Sequence, residues 1–566
     1  MKKYIFSFLI FLLFLNSVLS AQDIELPDIS TTIGNDSVSV ELTDLPDFKN
    51  RVTEIDGSGN IVPQLPQIEK PEDTELSSSL AEENQKSLYA QGMVGGGFPC
   101  LFNCDFSLYT INGVQPFKLD FSHNSANGYV GQSLNGNYFD RDTQLFAYKK
   151  FVAGNFSLQL EGNYFSNSEG FQNKTPLFTS INKDYIKLGM DYGFIFNENF
   201  DLKLNLNSSF YNRYSQTSDI KAIENIPSFL YQAGYLFASP ELITDFYFKH
   251  FSAYLSGQYV LNTNLYGLEK DFGYINKFKN EDSEIQKELI FGNDETRMSH
   301  RGVFSVGLKW QNDSVKIYGN ASAVIGNYLN GQNVIVPFNA GVEYSIPVYF
   351  SNRRFTIGAE GGMQSFANSV WDLENKYKFS VLSFIPEETS FWYGNFNLSV
   401  PLKSSFTGKA FVEYKRNALG NNTWEADYTE DYRTCGVYGY SKRELQLLTT
   451  EFALSYHYKI FTLSGSWHSN WLDVPLLENI QLLGLQLNLQ DENARWGIDL
   501  QGLYSFENSL TVPLVNFEGF IGITPAVRVV LNATDIVKLV KAEKRTFAGE
   551  YIGRSGTASL LLKFFL

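Results

Sequence analysis

The side chains able to do chemistry are few and scattered. The five histidines, His123, His250, His300, His457 and His468, have no serine or aspartate at a spacing that would build a nucleophile, base and orienting group. No HExxH, CxxC or phosphate-binding glycine loop occurs. Cys100 and Cys104 lie four apart in Phe98-Pro99-Cys100-Leu101-Phe102-Asn103-Cys104, and Cys435 is the odd thiol. In an oxidising compartment that pair favours a disulfide pinning a loop, with a thiol metal site as the weaker alternative for want of a nearby histidine. The richest cluster is Trp424, Glu425, Asp427, Tyr428, Asp431 and Tyr432. Aromatics beside carboxylates suit sugar stacking or cation binding in an outer loop; a plain hydrated loop is the simpler alternative. Together these residues predict no enzyme, no cofactor and no metal centre.

The elements that position these residues are strands. In Phe391–Lys415, Trp392, Gly394, Phe396, Leu398 and Val400 alternate with Tyr393, Asn395, Asn397 and Ser399. After the break Pro401-Leu402-Lys403-Ser404 the alternation resumes at Phe406, Gly408, Ala410 and Val412. Arg301–Val324 repeats it, with Phe304, Val306, Leu308 and Trp310 on one face. Runs of about ten residues with period two, joined by short turns, are the signature of a transmembrane β-barrel. Aromatics make up 16% of the chain, and its net charge is −16. The mean hydropathy of −0.19 is too polar for a helical membrane protein but suits a barrel, because half of every strand faces water. No basic stripe suggests nucleic-acid binding.

The N-terminus reads as a secretory signal: Lys2-Lys3, an apolar core from Tyr4 to Leu15, and a cut near Ala21. Residues 21–85 hold fifteen acids against three bases and a single Phe, a composition that cannot fold alone. They repeat Leu26-Pro27-Asp28, Leu45-Pro46-Asp47 and Leu65-Pro66 at spacings of 19 and 20 residues. We read these as short docking motifs for a periplasmic protein partner, or as a disordered periplasmic tail with chance Leu-Pro pairs. Residues 86–566 parse as about 22 antiparallel strands. Their short turns and long connections alternate, so that all the long loops lie outside when the N-terminus is periplasmic. Within this parse, 226–241 is read as part of the connection 212–241 or as a further hairpin hidden in it, and 281–289 of the loop 261–300 as a short surface helix or an inward plug. The fold class is therefore all-β: an outer-membrane barrel, preceded by a signal peptide at 1–20 and the acidic segment. Its partners are outer-membrane lipid and the barrel assembly machinery.

Tyr89–Gly170 resembles the first barrel strands of TonB-dependent receptor-like proteins of the Bacteroidetes and spirochaete type. The residues that carry this are Gly92-Met93-Val94-Gly95-Gly96-Gly97-Phe98 and Phe121-Ser122-His123-Asn124-Ser125-Ala126-Asn127-Gly128-Tyr129. Val527–Asp535 with Gly549, Tyr551 and Gly553 resembles the end of that family. The resemblance implies a 22-stranded barrel, and it also implies a folded plug before it. Only about 65 residues separate the signal from the first strand here, although Asp36-Ser37-Val38-Ser39-Val40 resembles a TonB box. A lumen of that width needs filling. The candidates are the acidic segment, inward-folded loops or a partner. The function that follows is a channel or transporter-like protein. The alternatives are a structural barrel that anchors a periplasmic complex through the Leu-Pro tail, and TonB-dependent uptake with the plug supplied in trans. If the tail is the filler, a chain starting at residue 86 gives large steady openings in planar bilayers and the chain with residues 21–85 does not; equal conductance excludes the tail.

Overall fold

The computed structural model describes residues 53–55, 61–63 and 88–565, outside 111–114, 130–131, 133–135, 218–227, 268–297, 330–331, 349–350, 383, 404, 420–422, 433–434, 476–479, 492, 506–512 and 547–550. The signal, the Leu-Pro motifs (Leu26, Pro27, Asp28, Leu45, Pro46, Asp47, Leu65, Pro66), Asp36–Val40 and the helix expected at 281–289 lie outside the described residues.

Period-two alternation with a greasy face and a wet face has one stable solution in a membrane. The strands must pair side by side until the last meets the first. The first strands are β1 (Leu88–Phe98), β2 (Leu101–Thr110), β3 (Phe117–Asn127), β4 (Phe139–Ala153) and β5 (Phe156–Gly170). Next come β6 (Ser180–Asn197), β7 (Phe200–Gln216), β8 (Gln232–Phe248), β9 (Phe251–Tyr266), β10 (Met298–Gln311) and β11 (Val315–Leu329). The twelfth, β12, is broken into Gln332–Ile335 and Phe338–Val348; β13 is Ser351–Phe366, β14 Thr389–Lys403 and β15 Phe406–Asn417. A separate hairpin, β16 (Thr423–Tyr432) and β17 (Val437–Arg443), stands off the ring. The ring continues with β18 (Gln446–Tyr458), β19 (Phe461–Leu472), β20 (Gln481–Gln490), β21 (Trp496–Ser505), β22 (Leu514–Thr524), β23 (Val527–Thr534) and β24 (Thr557–Phe565). Counting β12 once, 22 antiparallel strands close the barrel.

The alternation read from the sequence is the alternation observed. Phe304 is 62% exposed and Leu560 60%, both on the outer surface. On the inner face of the same β10, Ser305 receives a hydrogen bond from Ser322 of β11 at 2.8 Å. Short connections such as Gly154-Asn155 lie at one end of the barrel. Gly154 adopts φ +59 there, a left-handed conformation that favours glycine.

One reading is corrected. Residues 228–241 are neither a plain connection nor a separate hairpin: after a short 3-10 turn (Ser228–Leu230) they form the upper half of β8. Pro240 disguised it. A proline cannot donate to a ladder, and the β8–β9 register is interrupted between Ala238↔Leu261 and Glu241↔Gln258. Length is also instructive. β4 to β9 run to 15–18 residues, more than the ten or so that span a membrane. Their outer ends therefore rise beyond the lipid and carry inner faces available for packing.

Closure depends on the β24–β1 seam, where Gly97 pairs with Ser559 and Gly95 with Leu561. A Cβ at Gly97 would lie 1.9 Å from the Ala558 carbonyl oxygen and 2.5 Å from Ser559 Cα. We expect Gly97→Val to abolish the folded, faster-migrating band of the unheated protein in SDS gels. Gly502→Val keeps that band, since nothing lies within 4 Å of a Cβ there.

Candidate functional site: the closed mouth

The inner faces of the long strands present matched rows. Phe165 of β5, Tyr185 of β6, Tyr211 of β7 and Tyr235 of β8 lie in one register row. One step outward the row reads Asn167, Lys183, Arg213 and Ala233. Two cations on a lumen wall need partners, because an unpaired buried charge is costly.

The partner is the connection from β13 to β14, a strap over residues 367–388. It carries the helix α1 (Val370–Lys376), capped by Ser369, whose hydroxyl accepts from Asp372 N. The strap leaves a wall seven strands away and lies across the upper lumen. Trp371 stacks on Tyr185, with centroids 4.6 Å apart and planes at 6°, and meets Phe165 and Tyr211 edge-on at 5.0 and 5.3 Å. Glu374 pairs with Arg213 at 2.9 Å, and both side chains are 0% exposed. Both Glu374 oxygens are used. Tyr211 donates to Oε2 at 2.6 Å, and Leu382 N donates to Oε1 at 2.7 Å. Lys183 donates to the Glu374 backbone carbonyl, Arg213 Nη2 to Phe229 O at 2.8 Å, and Tyr235 to Leu382 O at 3.0 Å. Arg213 Nη1 and Nε have no hydrogen-bond acceptor, although Nε lies 2.9 Å from Glu374 Oε2 in the ion pair.

Past α1 the strap reaches the rim of β4 and β5. Lys378 forms ion pairs with Glu169 and, at 3.6 Å, with Asp140. Burial pulls its ammonium down, but the Asp140 and Glu169 carboxylates outweigh that and hold its pKa well above the ordinary lysine value. Arg554, from the last outer loop, meets Asp140 at 3.3 Å and donates to Asn124 Oδ1 at 3.1 Å.

The β16–β17 hairpin covers the strap. Tyr438 N donates to Phe379 O and Val381 N to Tyr438 O, each at 2.9 Å, which adds the strap to the hairpin as a parallel bridge. Tyr428 donates to Lys378 O at 3.0 Å, and Phe379 stacks on Tyr551 at 3.8 Å and 7°. One apolar cluster thus joins Phe171, Phe229, Leu382, Trp424, Val437 and Tyr551, from five outer connections.

This corrects the outer-loop reading. Trp424, Glu425 and Tyr428 are buried, not displayed. Trp424 packs on Phe384 at 4.9 Å beneath Lys442, and Glu425 holds Arg443 at 2.8 Å. Asp427 pairs with Gly439 in the hairpin ladder. Asp431 and Tyr432 pair with Tyr438 and Val437 through the backbone, and their side chains lie outside the described residues. The expected Cys100–Cys104 disulfide is also corrected: both thiols are free. Four residues of nearly extended chain separate their Cα atoms by roughly 13 Å, whereas a disulfide needs them within about 7 Å. Cys435 is 1% exposed inside the cap, and burial pushes its thiol up to about 12. The histidines keep to the barrel: His123 bonds Thr143, and His468 pairs with Glu451, each on a neighbouring strand.

Below the cap, β9–β13 line a cavity of about 300 Å³ with Gln258, Asn320, Ser322, Asn339 and Gln364. Its one cation, Arg301, is paired with Glu388 at 2.6 Å, and Val303, Val324, Phe338 and Met363 make part of the lining apolar. Sequence reasoning missed Lys183, Arg213, Glu374, Lys378 and Tyr551. The only available signal was that Lys183 and Arg213 fall at lumen-facing positions of long strands.

No family model matches the sequence, and no curated protein matches it. Solved structures do match. The FrpB iron transporter from Neisseria meningitidis (F5-1 variant) is 9% identical with a TM-score of 0.58, over 85% of this chain and 83% of that one. The copper transporter OprC is also 9% identical with a TM-score of 0.58, over 85% and 80%. The siderophore receptor PirA from Pseudomonas aeruginosa is 7% identical with a TM-score of 0.57, over 86% and 81%. At such identities the likeness is one of fold: the chain shares the closed 22-strand barrel architecture of these outer-membrane transporters and receptors.

Arg213→Met strands the Glu374 carboxylate and should destabilise the folded protein by about 3–5 kcal/mol in urea unfolding. Adding Glu374→Gln to Arg213→Met should recover part of that loss, since neither member of the ion pair then stays buried without the other.

Proposed function

We propose that the protein moves a small solute across the outer membrane and rests shut, with the upper lumen filled by its own strap and hairpin. One observation carries this reading. The strap is pinned to the far wall by a fully buried ion pair, an arrangement an anchoring barrel would not need in its lumen. The similar structures are titled as transporters of iron and copper and as siderophore receptors, which favours transport over an anchoring or enzymatic role. Lys309, Lys316, Lys409, Glu413 and Lys563 on the inner wall mix both signs, so the lumen has no strong charge preference. Barrels of this fold imply an energised periplasmic partner of the TonB type, and we assign opening to such a partner engaging from the periplasmic side.

Planar-bilayer conductance tests the reading. Phe366 and Thr389 face each other in register, so a short glycine-serine linker can replace 368–387 without parting β13 from β14. The intact chain should be silent and the strap-deleted chain should show large steady openings. Silence in both, with a normal folded band, would reject a strap-closed conduit.

A further inference from the structure

The strap is held at two places that are built differently. The α1 attachment is dry, and its carboxylate is saturated. Glu374 spends both carboxylate oxygens, Trp371 lies in an aromatic slot, and three adjacent strands share the load. The Lys378 attachment is partly wet, and its carboxylates are not saturated. The Lys378 side chain is 16% exposed, and Asp140 Oδ1 and Glu169 Oε2 are buried with no hydrogen-bond partner. A buried oxygen without a donor costs free energy that water would return on opening.

The groups also divide by element. Lys378 belongs to the strap, and the strap is bonded to the β16–β17 hairpin through Tyr428, Tyr438 and the Ser380–Tyr440 hydroxyl pair. Asp140, Glu169 and Arg554 belong to the rim of β4 and β5 and to the final outer loop, which are bonded to each other. Between these two bodies run the Lys378 ion pairs, the bond from Tyr551 to Gly436 O, and the contacts of Phe379 with Tyr551 and Phe171 and of Tyr438 with Tyr551. Without Lys378, the carboxylates of Asp140, Asp142 and Glu169 are left with Arg554 and, on the side of Glu169, Lys183, and like charges in a low-dielectric site repel.

We propose that Lys378 is a releasable latch: the cap parts along the line between Lys378–Phe379 and Asp140–Glu169–Tyr551, while α1 stays fixed to β5–β8. This inference rests on the transport reading above. It places the gate at the rim and makes Arg213–Glu374 the hinge post. The part of the strap that carries Lys378 and Phe379 moves with the hairpin about that post.

Cys435 sits beside this line, next to Gly436, whose Cβ position is 2.8 Å from the Tyr551 hydroxyl, and it is a native reporter. In a chain carrying Cys100→Ser and Cys104→Ser, Cys435 should react slowly with maleimide in intact proteoliposomes. Adding Lys378→Met should raise that rate by about tenfold and produce bilayer openings, with the folded band unchanged. Lys376→Met, on a neighbouring position outside the latch, should leave the rate where it was. In a separate chain, Phe379→Cys with Tyr551→Cys, oxidised, should lock the cap and abolish solute flux, and reductant should restore it. An unchanged Cys435 rate in a folded Lys378→Met chain, or flux that persists through the formed cross-link, overturns the latch. Openings on strap deletion but not on latch removal would reject the latch and keep the transport reading. Silence on strap deletion would reject both.

Discussion

A strand edge cannot be left unpaired in hydrocarbon, and the rest of this molecule follows from that constraint. It forces β24 back onto β1, where the glycines Gly95 and Gly97 let two backbones approach more closely than any side chain allows. Closure then fixes the sidedness of every residue. One face of each strand meets lipid and the other a wide lumen, and a register slip of one residue would exchange them. It also creates the problem of the lumen, because 22 strands enclose a space their own side chains cannot fill.

The solution uses strand length. Where β4 to β9 outrun the membrane, their inner faces become a wall with two register rows, one aromatic and one cationic. The strap is complementary to both. Trp371 enters the aromatic row and Glu374 meets Arg213 in the charged one. Neither partner is stable buried alone, so the geometry is specified by mutual need. An aromatic slot alone would tolerate sliding, whereas a buried pair with both carboxylate oxygens engaged does not. The hairpin then gains a dry surface to cover, which is why an acidic, aromatic loop folds inward when a hydrated loop of the same composition would stay out.

What was legible was what depends on local periodicity. The strands, their facing and their number follow from period-two alternation, and the structure agrees with these. The failures share one cause. β8 was shortened because Pro240 interrupts the local pattern, although pairing with β7 carries the strand through. Trp424 and Tyr428 were placed in water because their company is polar, and the surface that buries them comes from residues up to 250 positions away, such as Phe171 and Phe178. The cysteine pair suggested a bridge by proximity in sequence, which extended chain converts into distance in space.

The sequence by itself therefore determined the barrel, because hydrogen-bond satisfaction in lipid leaves alternating amphipathic strands a single architecture. It determined that the lumen must be occupied, because barrel width follows strand number. Only the tertiary structure decided what occupies it. Lys183, Arg213, Glu374 and Lys378 belong to three distant segments, and their charges acquire meaning only once closure brings strap and wall within hydrogen-bonding reach. Side-chain complementarity across a lumen has no period to read along the chain.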